Sequence, residues 1–211
     1  MKSQSVKKRR ALWVGGIVVV LVAMGFGTKV VTGEELAAST PVEFSAAEYG
    51  ATEFPIVQAA VMKNAHDLAL VSTALAADAA AAAEEYGVVE GTSFPVFSVS
   101  FTAIAGAADV QGIVPFTIDG VPAEVTVRMQ TGPAISGTDL RDATGTIHFP
   151  DFTNQIEYQD AGAALNEELK VEVLSNIVAA DLEGKSVTVT GAFQLVNPAS
   201  YLITPVDVVV N

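Results

Sequence analysis

The spacing of apolar residues changes near residue 94, and that change constrains the fold more than any other feature of the chain. Before it, Val57, Val61, Ala65, Leu68, Val71 and Leu75 recur every three or four positions and fall on one stripe of a long helical region. After it, Phe97, Val99, Phe101 and Ala103 alternate with Ser98, Ser100 and Thr102, the pattern of a strand with one buried face. A chain that opens with helices and then changes to runs of period-2 strands belongs to the α+β class.

The helical part carries its own punctuation. Ser45-Ala46-Ala47-Glu48 has capping-box spacing, so the Ser hydroxyl and the Glu carboxylate can each take a free amide of the first turn. Asp78 can cap a second segment, Ala79 to Tyr86, and Gly87 is a natural stop. The reading is of helices over 44–88 that pack on the following domain; a partner-binding helical hairpin is the alternative.

The strands follow in a definite order. Gln111-Gly112 reads as a turn and Ile113 to Ile118 as a second strand. Asp119-Gly120 is a hairpin signal, because both residues tolerate positive φ. Ala123, Val125, Val127 and Met129 alternate with polar neighbours as a third strand, and Pro115 and Pro122, which lack a ladder donor, belong at edges or bulges. Ile156 to Ile177 reads mostly as helix, with Asn154 and Glu157 offering a cap. Val187, Val189, Phe193 and Leu195 form a fourth strand with Gly191 as a bulge, and Leu202 to Val210 a fifth, entered near Pro205. Three strands, a helix-bearing connection and two strands is the element order of an OB-like five-stranded β-barrel, expected over 94–211.

The other strong feature is at the start. Lys2, Lys7, Lys8, Arg9 and Arg10 precede an uncharged apolar run, Ala11 to Gly27. As a helix that run rises roughly 26 Å, just short of a hydrocarbon core of about 30 Å, and Val30 and Val31 extend it if Lys29 snorkels. The expectation is a cytoplasmic basic tail over 1–10, a single-pass transmembrane signal-anchor over 11–31, a polar linker over 32–43 and an extracytoplasmic remainder. A cleaved signal peptide is the competing reading; its best small-x-small site, Ala23-Met24-Gly25, sits inside the apolar run.

Charge then narrows the partners. From Thr28 onward there are 6 basic residues against 24 acidic ones, a net charge of −18. Such a surface repels phosphate backbones. Nucleic acid needs a basic groove and stacking aromatics, yet from Pro95 to Asn211 the basic residues are Arg128, Arg141, Lys170 and Lys185, and the second and third strands carry one aromatic, Phe116. No nucleic-acid partner is expected. The sequence has no Cys, so disulfides, thiolate metal sites and Cys nucleophiles are excluded. No metalloprotease, nucleophile-elbow or phosphate-loop pattern occurs. The two His, His66 and His148, lie far apart, and a hydrolase would need His148 beside a hydroxyl such as Ser136 or Thr138. No catalytic set, cofactor or metal is predicted.

One stretch stands out from the strands around it: GPAISGTDLRDATGTIHFPDFTNQIEY, from Gly132 to Tyr158. Arg141 offers a planar five-donor fork suited to a carboxylate or to several carbonyls, and Asp142 can hold it. Asn154 and Gln155 each donate and accept, and Thr138 adds a hydroxyl. Two readings stay open. Arg141 and Asp142 pin the loop that caps the barrel while Asn154 starts a helix, or Thr138, Arg141, Asp142, Asn154 and Gln155 hold a small polar ligand or partner.

This stretch also carries a resemblance. GPAISGTDLRDA, HFPDFTNQIEY, ALNEEL, LEGKSVTVTGAF and ITPVDV, with the earlier AAVMKNAHDLALVSTALAADAAAAAEEYG, resemble the predicted periplasmic lipoproteins of domain-of-unknown-function family twenty-two ninety-one, over roughly 44–210. The resemblance implies an extracytoplasmic protein without an established activity, in a family often associated with sugar uptake by ABC-type transporters. Transporter subunits are therefore implied as partners. The chain departs from the family in lacking the lipid-bearing Cys, which the apolar helix would replace as anchor. It also carries Ser136 where the family tends to Arg, and Asp139 where it tends to a small residue. The function read from the sequence is a membrane-anchored extracytoplasmic binding or accessory module; a structural envelope protein without a small ligand is the alternative.

Overall fold

A computed structural model describes residues 44–89 and 94–211, and residues 44–211 cluster as one compact unit. The expected basic tail, transmembrane run and linker lie outside the described residues. Among those described, no helix is long and apolar enough to cross a membrane.

Five strands close on themselves: β1 (Val96–Ala105), β2 (Ile113–Thr117), β3 (Thr126–Gln130), β4 (Ser186–Gln194) and β5 (Ser200–Val210). The order around the barrel is β1-β2-β3-β5-β4 and back to β1. The β3–β5 pair is parallel and the other four are antiparallel. Closure leaves the inward faces without a partner sheet to find. Phe97, Val99, Val127, Met129, Val189, Phe193 and Tyr201 fill the interior.

The helices are α1 (Ala46–Asn64), α2 (Leu68–Ala77), α3 (Ala79–Tyr86), a one-turn α4 (Asp139–Asp142) and α5 (Gln155–Glu172). The caps read from sequence are in place. The Ser45 hydroxyl accepts from Glu48 N, Asp78 accepts from Ala80 N and Ala81 N, and Asn154 accepts from Ile156 N and Glu157 N.

Four details depart from the sequence reading. The stripe from Val57 to Leu75 is not one helix. Extended backbone at Ala65 ends α1, His66–Asp67 pairs in parallel with Val99 and Ser100 of β1, and Asp67 caps α2. The reason is that the stripe serves two cores. Leu68, Val71 and Leu75 enter the barrel cluster, whereas Val57 and Val61 pack with Leu140, Leu165 and Leu169 against the outer face of the barrel at Val96, Ala192 and Val206.

The same double coverage breaks the expected alternation in β1, where Val96, Phe97, Ser98 and Val99 are all buried. The third strand begins at Thr126 rather than Ala123, because Val125 N is spent on the Pro122 carbonyl in a turn. The helix expected to reach Ile177 stops at Glu172, and Ile177 N instead closes a turn on Leu174 O. The irregularity expected at Gly191 is present, with the extra residue on β5: Gly191 faces Pro205 and Thr190 faces Asp207, leaving Val206 between.

Candidate functional site

The connection from β3 to α5 folds as a shell of polar contacts on the barrel wall. At its centre Arg141 is 8% exposed. Its Nε donates to Asp142 Oδ1 at 2.7 Å, one terminal nitrogen donates to Asp142 Oδ2 at 3.1 Å, and the other donates to the Tyr158 carbonyl at 3.2 Å. The guanidinium carbon lies 3.7 Å from the centre of the Tyr158 ring, which adds a cation–π contact. The Thr138 hydroxyl donates to Asp142 Oδ2 at 2.7 Å. A planar fork held on both edges of one carboxylate and stacked on a ring is a geometry Lys could not supply.

Around this pair stand five rings. Phe44, Tyr49 and Phe152 contact one another at centroid distances of 5.5–5.8 Å, and Phe152 and Phe149 each reach Tyr158. Burial, with Glu53 and Asp151 beside it, pushes the Tyr49 phenol up to about 12. Asn154 and Glu157 are engaged with the start of α5, Glu157 Oε2 accepting from Thr153 N, and Gln155 is exposed on its first turn. The structure thus brings Thr138, Arg141 and Asp142 together and sets Asn154 and Gln155 at the helix start. The Ser136 hydroxyl donates to Gln130 Oε1. His148 opens a 3₁₀ turn whose Asp151 accepts from His148 N, and His66 packs edge-on against Tyr86. Among the described residues no group of three His, Asp or Glu side chains is placed to hold a metal ion.

A second polar seam, which the sequence reading did not assemble, ties the connection to the barrel. Gln130 Nε2 donates to Thr204 Oγ1 at 2.9 Å and to the Ser136 carbonyl at 3.0 Å, and Gln130 Oε1 accepts from Ser136 N. Thr204 Oγ1 donates to Asp139 Oδ2 at 2.9 Å. From α5, Asn166 Nδ2 donates to the Gly137 carbonyl. Gly137 itself has φ +92°, a conformation that favours glycine. Burial pushes the Asp139 carboxyl up from its ordinary 3.8 to about 7; Asp142 adds to the rise, while the Thr204 hydroxyl and the Gln194 backbone amide oppose it.

Among the described residues two open clefts lie elsewhere; one, of about 430 Å³, is lined by Phe54, Gln58, Glu168 and Glu172 on α1 and α5, and the other sits beside β1. The cleft beside β1 has a volume of about 430 Å³ and is lined by Asp67, Phe101, Thr102, Thr117, Asp119 and Ser186, among others, with no basic residue. It occupies a gap in the β1 ladder. The His66–Asp67 pairing ends at Ser100 and the β2 pairing begins at Ile104. Ala105 N donates to Lys185 O on the β4 side and Gly106 N to Pro115 O on the β2 side. Backbone direction alternates along a strand, so the amide and carbonyl of Thr102 face the cleft.

An antiparallel barrel closed through one parallel β3–β5 pair, with a helix-bearing connection after its third strand, defines an OB-fold protein. The backbone matches the crystal structure of an OB-fold protein from Thermotoga maritima MSB8 with a TM-score of 0.63 and 20% identity, over 81% of this chain and 100% of that one. At that identity the likeness concerns the fold. The model of the predicted periplasmic lipoprotein family DUF2291 matches residues 17–209, and the chain belongs to that family. Membership sets it among extracytoplasmic, membrane-associated proteins whose function is unknown. No curated protein matches the sequence.

Proposed function

We propose that the protein is a membrane-tethered extracytoplasmic binding module, serving as an accessory to a solute-uptake system. The observation that carries the binding role is the cleft beside β1. It combines two carboxylates, three hydroxyl-bearing residues and an unpaired stretch of ladder over an apolar floor that includes Phe101. Pockets of a few hundred Å³ with a few convergent polar groups are the usual form of a small-ligand site. With no cation in its lining, the cleft suits a small polar ligand that is uncharged or protonated, one able to give hydrogen bonds to Asp67 and Asp119. The tether is the apolar run over 11–31, and the transporter association rests on the family resemblance.

Thermal melting of the full chain in mild detergent tests the binding role. Compounds are added in three sets: neutral polyols, small amines and small carboxylates. A ligand that binds the folded chain stabilises it by RT ln(1 + L/Kd), where L is the free ligand concentration, so the midpoint keeps rising with that concentration. The expected result is a rise with a polyol or an amine, none with carboxylates, and loss of the rise in Asp119→Asn. A melting temperature unmoved by all three sets favours the second reading, a structural envelope protein, which is supported by the internal engagement of Arg141 and Asp142. Co-purification of transporter subunits from membranes tests the association.

A further inference from the structure

Asp139 is a buried carboxyl that no cation among the described residues pairs with. It is 9% exposed, at the first residue of α4. The one basic side chain nearby, Arg141, is committed to Asp142 and to the Tyr158 carbonyl. Every element packed around Asp139 presents a neutral group. On β5 it is the Thr204 hydroxyl, on β4 the Gln194 backbone amide, on β3 the Gln130 amide acting through Thr204, and on α5 the Asn166 amide on the adjoining Gly137 carbonyl. From α1 the neighbours of this turn are apolar: Phe54, Val57 and Val61 share a cluster with Leu140. Among the described residues, the titratable charge bearing on Asp139 is Asp142, of the same sign.

We propose that Asp139 is a proton-controlled latch, whose protonated carboxyl holds the 132–148 connection against β5 and whose ionisation releases that connection while the barrel stays closed. An ionised carboxyl at this site loses its hydration and meets no opposite charge, a costly combination. Moving toward solvent relieves it, and the positive-φ Gly137 two residues earlier is the hinge on which the turn swings. The latch is also the route by which Arg141, Asp142 and Thr138 would become accessible, since all three ride on the released segment. The raised affinity of the site for a proton sets the working range: the hold is complete below the ordinary carboxyl value of 3.8 and is lost as the pH rises to about 7. An extracytoplasmic domain meets the pH of its surroundings directly.

Hydrogen exchange of the full chain in mild detergent, corrected for the intrinsic rate at each pH, is the test. In the wild type, protection of 132–148 should fall by up to about tenfold per pH unit between the ordinary carboxyl value of 3.8 and about 7 and level off above it, as expected for opening linked to one proton, while β1 stays protected. Asp139→Asn, isosteric with the protonated acid, should hold the segment protected at pH 5 and pH 8 alike. Thr204→Val removes a donor that favours the ionised form and should extend the fall in protection to higher pH before it levels off. Protection of 132–148 that does not change with pH in the wild type overturns the proposal. So does pH-dependent release that survives in Asp139→Asn, or failure of that variant to fold.

Discussion

At Gly191 the sequence and the packing leave no room for choice. An added Cβ would sit 2.5 Å from the Thr204 carbonyl oxygen and 2.8 Å from Pro205 Cα, both backbone atoms that cannot step aside. Gly191→Ala should therefore destabilise the chain by about 3 kcal/mol, the upper part of the usual range for overpacking, and a thermal melt will read it. This residue was legible in advance, because a lone Gly within a strand pattern signals a bulge or a close approach. Asp139 was not. Its partners Thr204 and Gln130 come from other strands and read locally as unremarkable strand residues. Buried polar pairs of this kind carry no periodic signal, so the seam emerges only when the barrel brings β3, β5 and α4 together. Arg141 stands between these cases. Its pairing with the adjacent Asp142 could be read from the sequence, whereas the Tyr158 carbonyl and ring could not.

Among the elements, α2 has the most telling position. Leu68, Val71 and Leu75 enter the barrel cluster, and Ser72 Oγ lies 3.5 Å from the buried Tyr201 hydroxyl. α5, which comes from the β3–β4 connection, packs instead on the outer face with α1. The end of the barrel is plugged from the segment that precedes it. Leu68→Ala should cost about 2–5 kcal/mol as a cavity in a closed core, while Leu70→Ala, at a position half exposed, should stay within about 0.5 kcal/mol. Equal losses in denaturant titrations of the two variants would contradict the plug. The helical period announced α2 clearly. It could not announce the break at Ala65, because the apolar spacing runs through that position without a gap. Only the separation into two cores explains why the chain must turn there.

For the whole molecule, the two clusters make the helical segment and the barrel interdependent. Excising residues 94–211 would remove the plug from one end and strip Phe54, Val57 and Val61 from the outer face at Val96, Ala192 and Val206. That fragment should retain strand signal in the far ultraviolet but lose near-ultraviolet ellipticity and bind a hydrophobic dye, the behaviour of a collapsed chain without fixed packing. A cooperative melt of the isolated fragment would show that the barrel stands alone. The barrel order was legible at this scale because the turn signals and the period-two runs fall in sequence. The closing β3–β5 and β1–β4 pairs, between strands distant in sequence, follow from topology.

The plug also has a consequence in time. On the ribosome α2 is made long before β5, the strand that supplies Tyr201 and Ile203 to its socket. At roughly 5–20 residues per second, this apolar helix waits on the order of ten seconds for a place to dock. Through that interval the chain cannot lock, and its apolar segment is available to a holding chaperone. A domain whose first pieces fit only around its last strand stays threadable until synthesis is nearly done, a useful property in a member of an extracytoplasmic family.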